Sequence, residues 1–165
     1  MKQRQKGYNI RFACDADIPR IHHLLTQVNA VHAKGRPDLF KMGERKYTDD
    51  ELKGIFRNTE TPVIVCTDAD DSVAGYAFCI FERHEDSHVL QPVTTLYIDD
   101  ICVDETLRGQ HIGKRIYEAV LAFAKEQHCY NVTLNVWTCN PTAMKFYESL
   151  GLVPQKVGME HIIET

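Results

Sequence analysis

The chain has 165 residues, of which 44% are hydrophobic and 25% are charged, which is typical of one soluble globular domain spanning residues 1–165. Its 19 Lys and Arg against 23 Asp and Glu give a net charge of −4 without a basic block, which argues against a nucleic-acid partner. No apolar run reaches the roughly 18 residues of a membrane span, and the basic start over residues 1–6 leads into no apolar signal core. These features predict a cytoplasmic protein with no membrane partner.

The six cysteines form no Cys-x-x-Cys pair, and the eight histidines are dispersed along the chain. His84 and His88 lie close in sequence, but no carboxylate at helical spacing completes a metal site there. We therefore expect no metal, and we expect most cysteines to be reduced thiols in or near the core.

The first elements are predicted from spacing and caps. A short strand covers residues 8–12, and Asp15 is a suitable N-cap for a following helix. The apolar residues at helical spacing in that helix are Ile18, Ile21, Leu25 and Val28. Thr48 and Glu51 match a capping box, which predicts a second short helix to about Asn58.

The middle of the chain indicates strands. Residues 62–67 and Val73–Arg83 are rich in Val, Ile, Phe and Tyr and are joined by the acidic turn 68–71, which predicts an antiparallel pair. Thr94–Val103 is apolar on both faces, as a strand buried on both sides would be. We expect this strand at the centre of the sheet.

The last third alternates helix and strand signals. An amphipathic helix starts at Ile112, residues 131–136 alternate like a strand, and a second helix opens at Pro141 and closes at Gly151. Two short strands follow up to Thr165. This order predicts an α/β or α+β fold with a mixed sheet.

The junction of the long strand and the long helix carries the clearest chemical signal. A strand that enters a glycine-containing loop and then a helix presents backbone N–H groups at the positive end of the helix dipole, which suits phosphates. Alternatively, Gly109 and Gly113 only permit a tight turn and close packing. The order of residues fits neither a Walker loop nor a dinucleotide fingerprint.

Residues 108–113, after a strand, with residues 140–147 downstream, resemble the GNAT superfamily of N-acetyltransferases. The resemblance covers about residues 8–163 and is closest in motif to the diamine acetyltransferase branch. It implies the GNAT fold, with a mixed central sheet of about six to seven strands flanked by about four helices. It also implies acetyl-CoA as co-substrate and direct attack by a primary amine, a small-molecule substrate, within a ternary complex.

The resemblance assigns the cofactor to two segments. The strand residues that would pair with the pantetheine arm are Ile101, Cys102 and Val103, and those that would surround the pyrophosphate are Arg108, Gly109, Gln110, His111, Ile112, Gly113 and Lys114. His111 departs from the family pattern, which has glycine there. If the backbone needs a positive φ at this position, the histidine costs on the order of 1 kcal/mol.

The resemblance also implies roles for two residues at and in the helix that opens at Pro141. Asn140 would contact the pantetheine, and Tyr147 would protonate the departing sulfur. By spacing alone, Tyr147 belongs to an apolar stripe with Ala143, Phe146 and Leu150, which indicates core packing.

Asp99 and Asp100 interrupt an otherwise apolar strand. Burying carboxylates is costly unless they are paired, solvated or protonated, so such residues indicate a site. Residues 96–103 are similar to a run in the diamine acetyltransferase branch, which implies Asp99 as the base, on one strand face with Ile101 and Val103. The alternative is that both aspartates pair with a basic residue or stabilise a bulge.

The acceptor side is the least specific part of the sequence. In the family it is built from the first two helices and their loop, here including residues 32–40, and from the hairpin at residues 84–88. The acidic residues that would favour a cationic amine are Asp38, Glu85, Asp86, Asp99 and Asp100. Asn135 replaces the glutamate base of the branch that acylates protein N-termini. A protein amine acceptor, a non-catalytic acyl-CoA sensor and a homodimer remain open.

Overall fold

A computed structural model describes residues 7–163. The basic start at residues 1–6 and the end of the last predicted strand, residues 164–165, lie outside the described residues. The chain forms two compact units, one ending at Asn135 and the other beginning at Val136. The single domain over residues 1–165 stays a prediction.

The larger unit is a mixed sheet with helices. Its elements are β1 (Asn9–Phe12), α1 (Ile18–Gly35), α2 (Asp49–Arg57), β2 (Val63–Thr67), β3 (Val73–Arg83), β4 (Thr94–Val103), α3 (Ile112–Glu126) and β5 (Asn131–Leu134). The strand order is β1-β2-β3-β4-β5, antiparallel except for the parallel pair of β4 and β5. The predicted α/β class with a mixed sheet is confirmed, although β3 and not β4 is the central strand.

The two predicted helix starts have different outcomes. Thr48 and Glu51 form the capping box, since the Thr48 hydroxyl accepts from the Glu51 amide at 3.2 Å and the Glu51 carboxylate accepts from the Thr48 amide at 2.6 Å. Asp15 instead begins a short 3-10 turn, and α1 starts three residues later at Ile18 with Asp17 as its N-cap.

The core lies on both faces of the sheet. One face packs against α1 and α2 through a cluster that includes Ile21, Leu24, Leu52, Val65, Tyr76 and Cys102. On the other face α3 approaches β3 so closely that a Cβ on Gly75 would lie 2.8 Å from Cδ1 of Ile116. The same Cβ would lie 2.6 Å from the backbone carbonyl oxygen of Cys102 on β4, which cannot move aside, so glycine is required at this position.

The smaller unit contains α4 (Pro141–Ser149), which Gly151 ends with a φ of +92°, as predicted. The two strands expected after Gly151 are absent from residues 152–163, so the described sheet has five strands instead of six or seven. Val153, Val157 and Met159 are at least 76% exposed. This segment also contains Pro154, which lacks an N–H, and Gly158, and both weaken strand pairing.

Most of the cysteines are in or near the core, as predicted, and all six are free thiols. Cys66, Cys79 and Cys102 are buried and Cys129 is half-buried, whereas Cys14 and Cys139 are exposed. Among residues 7–163, no helix combines the length and apolar character that a membrane span requires. No group of three or more potential metal ligands occurs in the same range.

Candidate active site

One edge of β4 loses its partner strand halfway along the strand. On one side, β4 pairs with β3 up to Val103, opposite Gly75. On the other side, its parallel ladder with β5 runs only from Thr95 to Ile98, which lies opposite Leu134. The predicted pantetheine residues Ile101, Cys102 and Val103 therefore lie beyond the β4–β5 ladder, on a strand segment whose edge suits an extended ligand arm.

A β-bulge interrupts β4 at the start of that segment. Phe78 on β3 pairs with Asp100 and its neighbour Cys79 pairs with Ile98, so Asp99 is the extra residue on β4. Bulges redirect side chains locally because they interrupt the alternation of the strand.

The bulge brings both aspartates to one basic residue. The Nζ atom of Lys46, in the loop between α1 and α2, lies 3.0 Å from Oδ2 of Asp99 and 3.7 Å from Oδ2 of Asp100. The expectation that Asp99 shares a regular strand face with Ile101 and Val103 is thus wrong, because the bulge resets the alternation between Asp99 and these residues.

Asp100 is the more enclosed member of the pair. Its side chain is 9% exposed against 31% for Asp99, and its Oδ2 accepts a hydrogen bond from the Tyr76 hydroxyl at 3.3 Å. Burial raises the pKa of Asp100 to about 6, although Lys46 and the Tyr76 hydroxyl lower it. A carboxyl group with such a pKa exchanges protons near neutral pH, so Asp100 is suited to proton transfer.

Lys46 is held as a cation. Burial lowers the pKa of its ammonium, but the nearby Asp100 and Asp99 outweigh this and raise the pKa above its ordinary value. Sequence reasoning missed Lys46, because it lies 53 residues from Asp99 in a loop without periodic signal. Only the fold brings the two together.

A buried carboxylate anchors the chain where β4 ends. Oδ1 of Asp104 accepts from the amide and the hydroxyl of Thr106, both at 2.8 Å, and its other oxygen pairs with the Arg20 guanidinium of α1. Arg20 also donates to the Val73 carbonyl at 2.9 Å. Burial raises the pKa of Asp104, yet Thr106 and Arg20 together lower it to about 2. The segment that leads into the predicted phosphate loop is therefore fixed to α1 and β3.

The loop itself turns through two left-handed residues. Gly109 has a φ of +79°, and His111, the N-cap of α3, has φ +60° and ψ 17°. Of the two possibilities that the sequence left open for His111, the structure has the strained one, which costs about 1 kcal/mol. This turn sets the start of α3 at Ile112, where the first N–H groups of the helix have no intrahelical acceptor.

The groups around the loop fit a polyanion. Arg108, His111 and Lys114 are exposed, and the Tyr8 hydroxyl holds Gln110 by donating to its Oε1 at 2.8 Å. Together with the amides at the start of α3, these groups match the phosphate-binding role that the sequence predicts for residues 108–114.

The two remaining predicted residues lie in the smaller unit. Asn140 is the N-cap of α4, and its Oδ1 accepts from the Ala143 amide at 3.2 Å. The centres of the Tyr147 and Phe146 rings lie 5.4 Å apart. The backbone carbonyl of Tyr147 accepts a hydrogen bond from the Leu150 amide at 3.0 Å. The cofactor roles of Asn140 and Tyr147 stay predictions.

The loop between α1 and α2 forms an open cleft of about 590 Å³ that is lined within residues 33–44. Asp38, one of the acids expected to favour a cationic acceptor, pairs with Arg36 at 2.7 Å. The His32 ring contacts the Phe40 ring, with centroids 5.0 Å apart. Asp38, Asp99 and Asp100 thus all have basic partners.

Comparison with known proteins identifies the family. Residues 28–152 match the model of the acetyltransferase (GNAT) family. A probable glucosamine 6-phosphate N-acetyltransferase of Drosophila melanogaster is 41% identical over 141 residues, which cover 84% of this chain and 58% of that protein. The chain thus spans little more than half the length of this relative.

Solved structures share the fold. A mutant of the BH1408 protein from Bacillus halodurans is 31% identical with a TM-score of 0.90, covering 94% of this chain and 99% of that one. The glucosamine-6-phosphate N-acetyltransferase of Arabidopsis thaliana is 20% identical with a TM-score of 0.69, covering 96% of this chain and 100% of that one. The family resemblance read from the sequence is confirmed: the chain belongs to the GNAT family of acetyltransferases.

Proposed function

We propose that the chain is an N-acetyltransferase that moves the acetyl group of acetyl-CoA to the primary amine of a small molecule. One observation carries this proposal. The single strand β4 carries both a free edge suited to the pantetheine arm and the carboxyl pair suited to proton transfer, and it leads into the loop suited to the pyrophosphate. Acetyl-CoA supplies the activated acetyl group as a thioester.

Different segments of the chain bind the pantetheine arm and the pyrophosphate of acetyl-CoA. Ile101, Cys102 and Val103 hold the pantetheine arm through backbone hydrogen bonds along the edge of β4, as an added strand would be held. The loop from Arg108 to Lys114 binds the pyrophosphate with its amides and cations. Asn140 contributes a further contact to the pantetheine.

The acceptor amine attacks the thioester carbonyl directly, so that a C–N bond forms and the C–S bond breaks. Asp99, the more exposed carboxyl of the pair, takes the amine proton itself or positions a water molecule that does so. Tyr147 returns a proton to the departing thiolate, a role that suits the hydroxyl of a phenol, which is ordinarily a proton donor at neutral pH.

The acceptor is a small amine. The relatives that carry the name glucosamine 6-phosphate N-acetyltransferase support an amino sugar phosphate as the first compound to test. Asn135, which donates to the Tyr97 hydroxyl at 3.2 Å, is not a base, so its position does not support acylation of protein N-termini.

The test is release of CoA from acetyl-CoA in the presence of glucosamine 6-phosphate, glucosamine, spermidine or a lysine peptide. We expect turnover with a small amine, and a loss of about 100-fold in kcat/KM for Asp99→Asn with CoA binding retained. CoA binding without turnover on any amine would instead make the chain a sensor, and turnover on the peptide alone would make it a protein acetyltransferase.

A further inference from the structure

The carboxyl pair on β4 already has a resident ammonium group. Nζ of Lys46 contacts Asp99 at 3.0 Å and Asp100 at 3.7 Å, and it also lies 5.2 Å from the centre of the Tyr47 ring. An ammonium group in this place makes the electrostatic contacts that a second positive charge on a substrate would make.

The loop that carries Lys46 is anchored. The Tyr47 ring stacks on the Phe78 ring of β3, with centroids 5.9 Å apart and planes 19° from parallel. Tyr47 also packs against the hydrophobic cluster under α1 and α2. Because its neighbour is fixed to the sheet, Lys46 stays near Asp99 and Asp100.

Of the other acids expected to favour a cationic acceptor, Asp38 is paired with Arg36, whereas Glu85 and Asp86 are exposed, so that water and salt screen their charge. The Tyr76 hydroxyl already donates to Asp100. A diamine or polyamine would have to displace Lys46 to gain an ion pair with the aspartates, whereas an acceptor with a single ammonium needs no such displacement. A polyamine therefore binds only at the cost of an existing ion pair, whereas an acceptor with one ammonium group does not, and this difference in binding free energy would make the site specific.

We propose that Lys46 is a specificity-determining residue, which selects acceptors with one ammonium group, such as an amino sugar or its phosphate, over polyamines. This inference rests on the proposed function, because it concerns the acceptor of the same reaction. It opposes the expectation from the diamine acetyltransferase motif, since this chain supplies from its own loop the cation that such a substrate would bring.

The experiment compares Lys46→Met with Lys46→Arg, and with Arg45→Met as the matched control. Arg45 is the preceding residue, is 69% exposed and lies 3.8 Å from Asp49 instead of contacting the carboxyl pair. For each protein, kcat/KM is measured with spermidine and with glucosamine 6-phosphate. We expect Lys46→Met to raise the ratio of spermidine to glucosamine 6-phosphate by about tenfold or more, because it frees the carboxyl pair.

The controls fix the interpretation. Lys46→Arg keeps the charge and should retain the ratio of the unmodified protein, and so should Arg45→Met. An unchanged ratio in Lys46→Met, or an equal rise in Arg45→Met, would overturn the inference. If Lys46→Met does not fold, as judged by its melting curve, Lys46→Gln takes its place.

A binding measurement separates this inference from the proposed function. If the unmodified protein releases CoA with none of the amines, the proposed function fails. Calorimetric titration of spermidine into the CoA-saturated proteins still tests Lys46, since Lys46→Met should bind spermidine about tenfold more tightly than the unmodified protein does. Equal affinities would refute the role of Lys46.

Discussion

The guanidinium of Arg20 on α1 pairs with the buried carboxylate of Asp104, where β4 leaves the sheet for the loop before α3. The same carboxylate accepts hydrogen bonds from the Thr106 amide and hydroxyl, so one side chain joins α1 to the segment that leads into the predicted phosphate loop. The loop is therefore positioned by a helix distant in sequence.

This relationship predicts the effect of Asp104→Asn. The variant removes the negative charge that pairs with Arg20. The loop would then be held less firmly and should bind CoA less well. We expect KM for acetyl-CoA to rise about tenfold while kcat changes less, because the side-chain contacts of Asp104 are with Arg20 and Thr106, which position the loop. Steady-state kinetics at varied acetyl-CoA checks this, and a fall in kcat with unchanged KM would refute the positioning role.

The second prediction concerns the left-handed residues at the two ends of α3. His111 has φ +60° and His128 has φ +56°, so each histidine is strained in the same way. Replacing either residue by glycine should raise the free energy of unfolding, by at most about 1 kcal/mol. Only His111→Gly should change the affinity for CoA, which calorimetry measures. Equal CoA affinities in the two variants would show that His111 takes no part in binding CoA.

Local signals explain what could be predicted from the sequence. The capping box at Thr48 and the periodic helix from Ile112 depend on residues within one or two turns, and both are confirmed. The bulge at Asp99 depends on the register with β3, and the position of Lys46 depends on where a loop returns to the sheet. Neither relationship leaves a pattern in the linear sequence.

Non-local pairing also explains the main difference in the fold. Two short strands are predicted after Gly151, but a strand forms only where a neighbouring strand accepts its hydrogen bonds. Residues 152–163 have no such pairing in the structure. The existence of a helix could therefore be predicted more securely than that of a strand.

The third prediction follows from the pKa of Asp100, which burial raises to about 6. Because the folded protein holds this proton more tightly than the unfolded chain, the contribution of Asp100 to stability is greatest at low pH and is lost as the pH rises through about 6. The free energy of unfolding of the unmodified protein, relative to Asp100→Asn, should fall as the pH rises from about 4 to 7. Urea unfolding of both proteins measures this difference, and a pH-independent difference would contradict it.

The fourth prediction isolates the phenol of Tyr147. Tyr147→Phe keeps the ring beside Phe146 and removes only the hydroxyl. If the hydroxyl protonates the thiolate, kcat should fall roughly 10- to 1000-fold with little change in KM for acetyl-CoA and under about 1 kcal/mol of lost stability. An unchanged kcat would reduce Tyr147 to a packing residue.

The central claim, that the loop before α3 binds the pyrophosphate of acetyl-CoA, is tested most directly by the melting shift that CoA causes. Binding to the folded state raises the melting temperature, so the unmodified protein should melt higher with CoA. Gly113→Glu, which places a negative charge at the start of α3, should abolish the shift. Gly54→Glu is the matched control, because a Cβ at this exposed position of α2 meets no atom within 4 Å. A full CoA shift in Gly113→Glu, or a shift caused by ATP or NAD and not by CoA, would contradict the account.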